Sequence, residues 1–394
     1  MRTRLRLRIG QVPSLLALHF FVGFVFWYGI EKIFLANVLS IGPVGIAAIV
    51  TLYTIMVLVL DVPASVLADR FGRRKMLIIA VCFFVLANIV LGSSQTFTTY
   101  LLGTALWALY TVSYEGTYEA ILFDSLKQEK RENSFQKIDA WSRLFFMLGI
   151  AISSVASGFL ADWSGLRGTY FLSIIPLALG LVTLLFIREP TVQHDDEVVQ
   201  RSYIAHLLHA FSTVLRSPVL RLVAFGTVIL FFIQTPLYEF AQYIYIELFQ
   251  ASPTLVGVAN GMAGFILALG FFIAIKRKFS SRRLLLLTGF ALCVMALLAN
   301  SFALFFLAFA FAAASILENA LQAQLQHATT SRSRASVTSA VYFAGNVLIV
   351  PFVFIFGAVA ENNSIWLAYL INGVVVLVMA LGYFVFTRKR AELR

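Results

Sequence analysis

Twelve apolar runs, most of them about 20 residues or longer, succeed one another along the chain and leave little length for anything else. They fall near residues 12–36, 43–67, 75–95, 98–125, 137–161, 168–188, 218–248, 254–275, 283–301, 303–327, 335–358 and 364–387. A helix crossing the hydrocarbon core needs about 20 mostly apolar residues. Lipid offers backbone groups no partners, so runs of this length can cross it only as helices. Breaks at Gly42-Pro43, Gly92-Ser93-Ser94, Gly165, Ser252-Pro253, Asn300-Ser301 and Asn362-Asn363 alternate with charged loops. Composition agrees: 60% of the 394 residues are hydrophobic and 12% charged, with a mean hydropathy of +0.88, whereas soluble domains are about 25% charged. A soluble multidomain enzyme, a disordered chain and a disulfide scaffold are excluded. Cys82 and Cys293 lie inside apolar runs and imply no oxidising compartment. An all-α membrane protein of twelve transmembrane helices is expected.

The net charge of +11 comes from 30 Lys and Arg against 19 Asp and Glu, and the placement of those charges carries the information. Apart from Lys32, Arg143 and Arg167, the Lys and Arg residues lie at the two ends, in the central linker, or in alternate loops between spans. The positive-inside rule therefore places that face and both termini in the cytoplasm. Short basic clusters between apolar runs are a topology signal and not a nucleic-acid stripe. The basic start at residues 2–8 resembles that of a signal peptide, but the run after it continues to about residue 36 without a small-residue cleavage site. It reads as a retained first span. Around residues 189–217 the composition changes: Glu189-Pro190 ends the sixth span, 194–197 is acidic, and 201–215 is amphipathic. This predicts a solvated connector with one helix at the membrane surface. The expected organisation is an N-terminal six-helix bundle (1–189), a cytoplasmic linker with an amphipathic helix (190–217) and a C-terminal six-helix bundle (218–394). The sequence Asp69-Arg70-Phe71-Gly72-Arg73-Arg74-Lys75 after the second span is echoed by Arg277-Lys278-Phe279-Ser280-Ser281-Arg282-Arg283 after the eighth. Paired six-helix halves suit a transporter that rocks around a site.

The stretch Ser65-Val66-Leu67-Ala68-Asp69-Arg70-Phe71-Gly72-Arg73-Arg74-Lys75 resembles the loop signature G-x-L-A-D-R-x-G-R-[KR]-[KR] of the major facilitator superfamily of secondary transporters, with serine replacing the leading glycine. That resemblance extends over the whole chain and implies two pseudo-symmetric six-helix bundles. The residues also have a reading of their own: so tight a turn needs Gly72 for a backbone conformation costly to other residues, and the arginines hold the loop at an anionic surface. The resemblance implies that Asp69, Arg73 and Asp124 form a charge network, within a loop that includes Arg70 and Gly72, and latch the outward-open state. Asp61 is either part of this gate or a solvated helix-end acid. Residues 116–126, from Gly116-Thr117-Tyr118-Glu119 to Asp124-Ser125-Leu126, look like a pattern from an efflux-like bacterial branch of the superfamily. Two departures weaken the antiporter signature: Thr104 stands where drug/proton antiporters usually carry a fourth-span arginine, and residues 149–158 replace their fifth-span Gly-Pro motif. The small residues kept there still permit close helix packing.

An uncompensated charge at the bilayer centre costs at least about 2.5 kcal/mol, so acids within the spans need a reason. They are Glu31, Glu115, Glu119, Glu239 and Glu318, in the first, fourth, seventh and tenth spans, which by the family resemblance line a central cavity. Glu115 and Glu119 stand i, i+4 on one helical face, where two carboxylates do not both ionise readily, an arrangement suited to proton pickup. The competing reading is that one of them pairs with a base such as Arg143. Glu31 and Glu239 either contact solute or meet water at the membrane interface. Glu31 adjoins Lys32, but consecutive helical residues need not pair. Trp27, Trp107, Tyr114, Tyr118, Gln234, Tyr238, Asn319 and Gln322 surround the acids. They are helix-packing and anchoring groups, or contacts for a cationic or amphipathic solute; a neutral polyol or sugar would suit the same amides and indoles. His19 and His327 are packing residues or proton carriers. Asp139 and Arg143 form an i, i+4 salt bridge, or Arg143 is an anion hook.

No phosphate-binding loop, metal-ligand spacing or nucleophile motif is present in the sequence, so neither an enzyme nor an ATP-driven pump is expected. The chain is expected to need no cofactor beyond a proton gradient. Its expected partners are a small-molecule solute, protons and lipid, and no nucleic acid; it is expected to act as a monomer in a bacterial inner membrane. The leading expectation is proton-coupled export of a small amphipathic or cationic solute by alternating access. Proton-coupled uptake of a sugar or organic acid is the alternative within transport, and a non-transporting receptor or scaffold is the alternative from another class.

Overall fold

The computed structural model of the chain describes residues 10–189, 203–277, 279–329 and 334–392. The basic start and the acidic stretch 194–197 lie outside these residues, and so does the side chain of Asp69. The described residues form helices and no strand. In the first half these are α1 (Gln11–Gly23), α2 (Glu31–Leu39), α3 (Pro43–Phe71), α4 (Arg73–Ser93), α5 (Phe97–Gln128), α6 (Phe135–Leu172) and α7 (Ile174–Leu184). Next come α8 (Tyr203–Arg216), α9 (Pro218–Leu248), α10 (Pro253–Lys276), α11 (Ser281–Leu298), α12 (Ala303–Ala328), α13 (Arg334–Asn362) and α14 (Ile365–Glu392).

Among the described residues, nine segments are long and apolar enough to cross a bilayer. One of them, Lys137–Leu184, has 48 residues, about 70 Å of helix against a hydrocarbon core of about 30 Å, enough for two crossings. Within it Gly165, at φ 76 and ψ 164, interrupts the helical path. α5 is not among the nine because Tyr, Thr, Ser and acidic residues dilute its apolar ones, and α1 is only 13 residues long. With Lys137–Leu184 counted as two, and α5 and the first span restored, the twelve expected runs are all accounted for.

The first span is not the continuous helix expected. α1 ends at Gly23; Phe24 and Val25 leave helical geometry, Phe26–Gly29 makes a 3-10 turn, and α2 starts at Glu31. The packing partner α6 explains the break. A Cβ on Gly23 would lie 2.5 Å from the Phe146 carbonyl oxygen, and one on Gly149 would lie 2.6 Å from that of Phe20, so the backbones of α1 and α6 meet at paired glycines. The Phe26 N–H then donates to Ser173 Oγ at 2.9 Å, which satisfies a group that the lost helical ladder would leave bare in lipid.

The helices divide into two compact units, Met1–Phe34 with Leu52–Glu197, and Leu35–Thr51 with Val198–Arg394. α3 therefore begins in one unit and ends in the other. In the first unit α4 packs on α5, and α1 on α6 and α7, around the fully buried Trp27, Phe34, Phe84, Tyr100, Tyr114 and Tyr170. In the second, α9 packs against α12, α13 and α14, and α11 against α12 and α14. The amphipathic segment is a helix, α8, but its end does not simply lie at a membrane surface. Val214 is buried with Leu220, Val223, Leu325, Val337 and Val341, in a cluster built from α8, α9, α12 and α13.

Candidate functional site

The candidate side chains form four groups. The first is the turn between α3 and α4. Gly72 takes φ +92, a region that L side chains rarely enter, and is the N-cap of α4. The following Arg73 forms an ion pair through Nη1 with Asp124 of α5 and donates to the Ala120 carbonyl at 3.2 Å. The Glu189 carboxylate accepts from the backbone N–H of Arg73 at 2.7 Å and of Arg74 at 2.8 Å, so it caps α4, where bare N–H groups and the helix dipole favour an anion. At the other end of α4, Arg167 donates to the Gly92 carbonyl at 2.7 Å. Arg70 and Asp61 are exposed. The sequence marks Glu189 as the end of the sixth span and Arg167 as a base outside the basic face, but it assigns neither one a partner.

The second group lies on α5, which has two chemically different faces. One carries Glu115, Gly116 and Glu119, all exposed. Glu119 pairs with Arg143 of α6 at 2.6 Å, and Arg143 also pairs with Asp139 at 3.0 Å. The other face stacks Tyr110, Tyr114 and Tyr118 with centroids 5.3 and 5.5 Å apart. Tyr114 OH meets His19 Nδ1 at 3.1 Å. Tyr118 OH donates to the Leu15 carbonyl at 3.1 Å and lies 2.6 Å from Ser142 Oγ. Tyr114, Tyr118 and His19 are thus packed together beside α1.

The third group follows the break in the first span. Trp27 is buried, donates from Nε1 to Asn88 Oδ1 at 2.7 Å, stacks on Tyr170 at 5.0 Å and meets Trp107 edge-on at 5.3 Å. Tyr53 also packs on Trp107, with ring centroids 4.9 Å apart. Glu31 and Lys32 are buried and, although consecutive helical residues need not pair, do so at 2.7 Å; Tyr100 OH donates to the second Glu31 oxygen at 2.7 Å. Both residues open α2, directly after the 3-10 turn Phe26–Gly29.

The fourth group is in the second unit. Gln234 donates to Glu318 at 2.7 Å and to Tyr238 OH at 3.3 Å, which joins α9 to α12. Tyr238 packs on Phe311. Asn319 donates back to the Ser315 carbonyl at 3.0 Å. Glu239 and Gln322 are half-buried, and His327 is exposed. Among the described residues no three His, Cys, Asp or Glu side chains are grouped to hold a metal ion.

A sequence profile of the Major Facilitator Superfamily matches residues 14–349. The chain belongs to this superfamily. It is a multi-pass membrane transporter, not an enzyme. The structure of the nucleoside transporter NupG (D323A mutant) superimposes with a TM-score of 0.77 at 13% identity, covering 96% of this chain and 100% of that one. A bacterial homolog of the human lysosomal transporter Spinster, inward-facing and unoccupied, superimposes at 0.74 with 15% identity, over 95% and 96% of the two chains. At these identities the likeness is one of fold. In sequence, the chain is 31% identical to the MFS-type transporter YfiU of Bacillus subtilis (strain 168) over 133 residues, 34% of this chain and 25% of that protein. It is 24% identical to a transporter of Buchnera aphidicola subsp. Schizaphis graminum (strain Sg) over 152 residues, 39% of this chain and 37% of that one. The matches thus span between a quarter and two-fifths of these relatives' own lengths.

Proposed function

We propose that this superfamily member is a proton-coupled transporter that exports a small amphipathic or cationic solute by alternating access. The observation that carries the reading is the Glu115–Glu119 face of α5, where two acids one helical turn apart face outward from their unit with one arginine, Arg143, bonded to Glu119 and Asp139. Acids are retained within a spanning helix against a cost of about 2.5–3.5 kcal/mol each when uncompensated. A proton that neutralises Glu119 removes one of the two acids paired with Arg143, so occupancy by a proton and the ion-pair pattern are coupled. Glu115, one turn away on the same face of α5, supplies a second carboxylate for a proton or a cation. Gln234, Tyr238 and Glu318 supply polar and aromatic contacts of the kind such a solute uses. The Arg73–Asp124 pair, with Arg70, Gly72 and Asp69 in the same turn, is the conformational latch. The basic loops and both termini face the cytoplasm of a bacterial cell, and the protein works as a monomer.

The test is flux in everted vesicles. Under an inward proton gradient they accumulate the exported solute; Glu119→Gln and Glu115→Gln each abolish or uncouple this accumulation while insertion is retained. Coupling left intact in both variants would sink the proposal. A more polar solute is the second reading, supported by the likeness of fold to a nucleoside transporter and to a POT family transporter in complex with a thioalcohol-conjugated peptide, and flux in the opposite direction in the same vesicles would show uptake.

A further inference from the structure

The break in the first span also shapes the surface beside it. On a helix, residues two apart point to nearly opposite sides, about 200° apart. Phe24 and Phe26 escape that rule because the α-helical path is lost after Gly23, and their rings meet edge-on at 5.4 Å. Both line one groove, together with Phe20 and Phe21. Its other side comes from Leu160 and Leu172 of α6 and from Leu179 of α7, so the groove lies wholly within the first unit. It has a volume of about 280 Å³ and is lined by carbon alone. Ile175 and Leu179, which line it, are 59% and 46% exposed; on helices that cross a membrane, such side chains meet hydrocarbon. The groove also has a definite depth. Leu160 and Leu172 stand on either side of the interruption at Gly165, and Leu179 lies about 10 Å further along by helical rise. Trp163, 78% exposed beside that interruption, is the kind of amphipathic ring found at head-group level. The groove therefore runs from near the membrane boundary toward the middle of the hydrocarbon core, whose half-thickness is about 15 Å.

We propose that this groove is a binding site for one acyl chain of a bilayer phospholipid, which lies along the broken first span with its head group at the level of Trp163. The surroundings at that depth are hydrocarbon, and the groove is continuous with the exposed apolar side chains that face it. An unfilled groove would cost its walls their dispersion contacts, and no polar atom in it calls for water. A chain lying on a convex helix face touches protein on one side only, whereas here it is held by the first span, α6 and α7 together. The lipid takes the place of the side chains that an unbroken first span would have packed there. The inference rests on the membrane-crossing fold and not on proton coupling or the direction of flux.

The protein is reconstituted in nanodiscs of phosphatidylcholine that include a small fraction of the same lipid with a diazirine at the middle of one acyl chain. After illumination, adducts are mapped by peptide mass spectrometry. The comparison face is the α14 stripe Val374, Val378 and Leu381, which is similarly exposed. Adducts within 20–26 and 172–179 are expected to exceed those on the stripe about tenfold, a preference of about 1.4 kcal/mol. Ile175→Trp fills the groove, so adducts within 20–26 fall to the α14 level while those on α14 stay the same. Where Ile175→Trp fails to fold, Leu179→Trp decides. Equal yields on the two faces would mean ordinary boundary lipid and overturn the proposal. A yield within 20–26 that is unchanged in a folded tryptophan variant would overturn it too. No solute, proton gradient or flux enters the measurement, so its outcome is separate from that of the vesicle assay.

Discussion

Glu31 and Lys32 show why a charge in a membrane helix has to be judged by its partners. Both are buried and paired, and Tyr100 fills the remaining Glu31 oxygen, so the group satisfies itself without lipid-facing charge. Glu31→Gln keeps the shape but leaves the Lys32 charge beside a neutral amide; it is expected to lower stability by about 1–3 kcal/mol, read as a lower thermal midpoint of the purified protein. Trp27→Phe removes the indole donor to Asn88 Oδ1 and is expected to cost about 1–3 kcal/mol in the same measurement. Arg143 behaves differently: with its side chain and that of Glu119 both about half exposed, their pairing contributes little to stability. Arg143→Gln is therefore expected to change coupling without shifting the midpoint, which separates a functional pair from a structural one.

At the scale of a helix, α4 is bounded by opposite charges that suit its dipole, Glu189 at its start and Arg167 at its end. Glu189→Ala exposes two N–H groups and is expected to destabilise the protein by about 1 kcal/mol. Hydrogen exchange at the Arg73 and Arg74 amides should rise with it while the middle of α4 stays protected; equal protection in the variant would show that the cap is idle. The broken first span follows the same logic in reverse. Its glycines let α1 approach α6, and Ser173 supplies the acceptor that the interrupted ladder lacks.

For the whole molecule, the Arg73–Asp124 pair joins the turn after α3 to α5. Arg73→Ala or Asp124→Asn is expected to leave membrane insertion intact and to reduce flux in vesicles at least tenfold. Unchanged flux would remove the latch role. Both changes act at one joint, so the double variant should be no worse than the worse single one.

Hydropathy and charge order along the chain were enough to establish an all-helical, multi-pass protein, because lipid leaves a long apolar run no choice but a helix and the loop motif at 65–75 is contiguous in sequence. The positions of Glu115, Glu119, Arg143 and the α5 tyrosines were also readable, since i, i+4 spacing fixes faces within a helix. What the tertiary structure alone decided are pairings across great separations: Glu189 with the Arg73 amide 116 residues away, and Glu361 with the Val44 amide 317 residues away. The break at Phe24–Ile30 belongs with them. No local periodicity encodes such contacts, because each depends on which helix ends and small-residue faces the packed fold brings side by side.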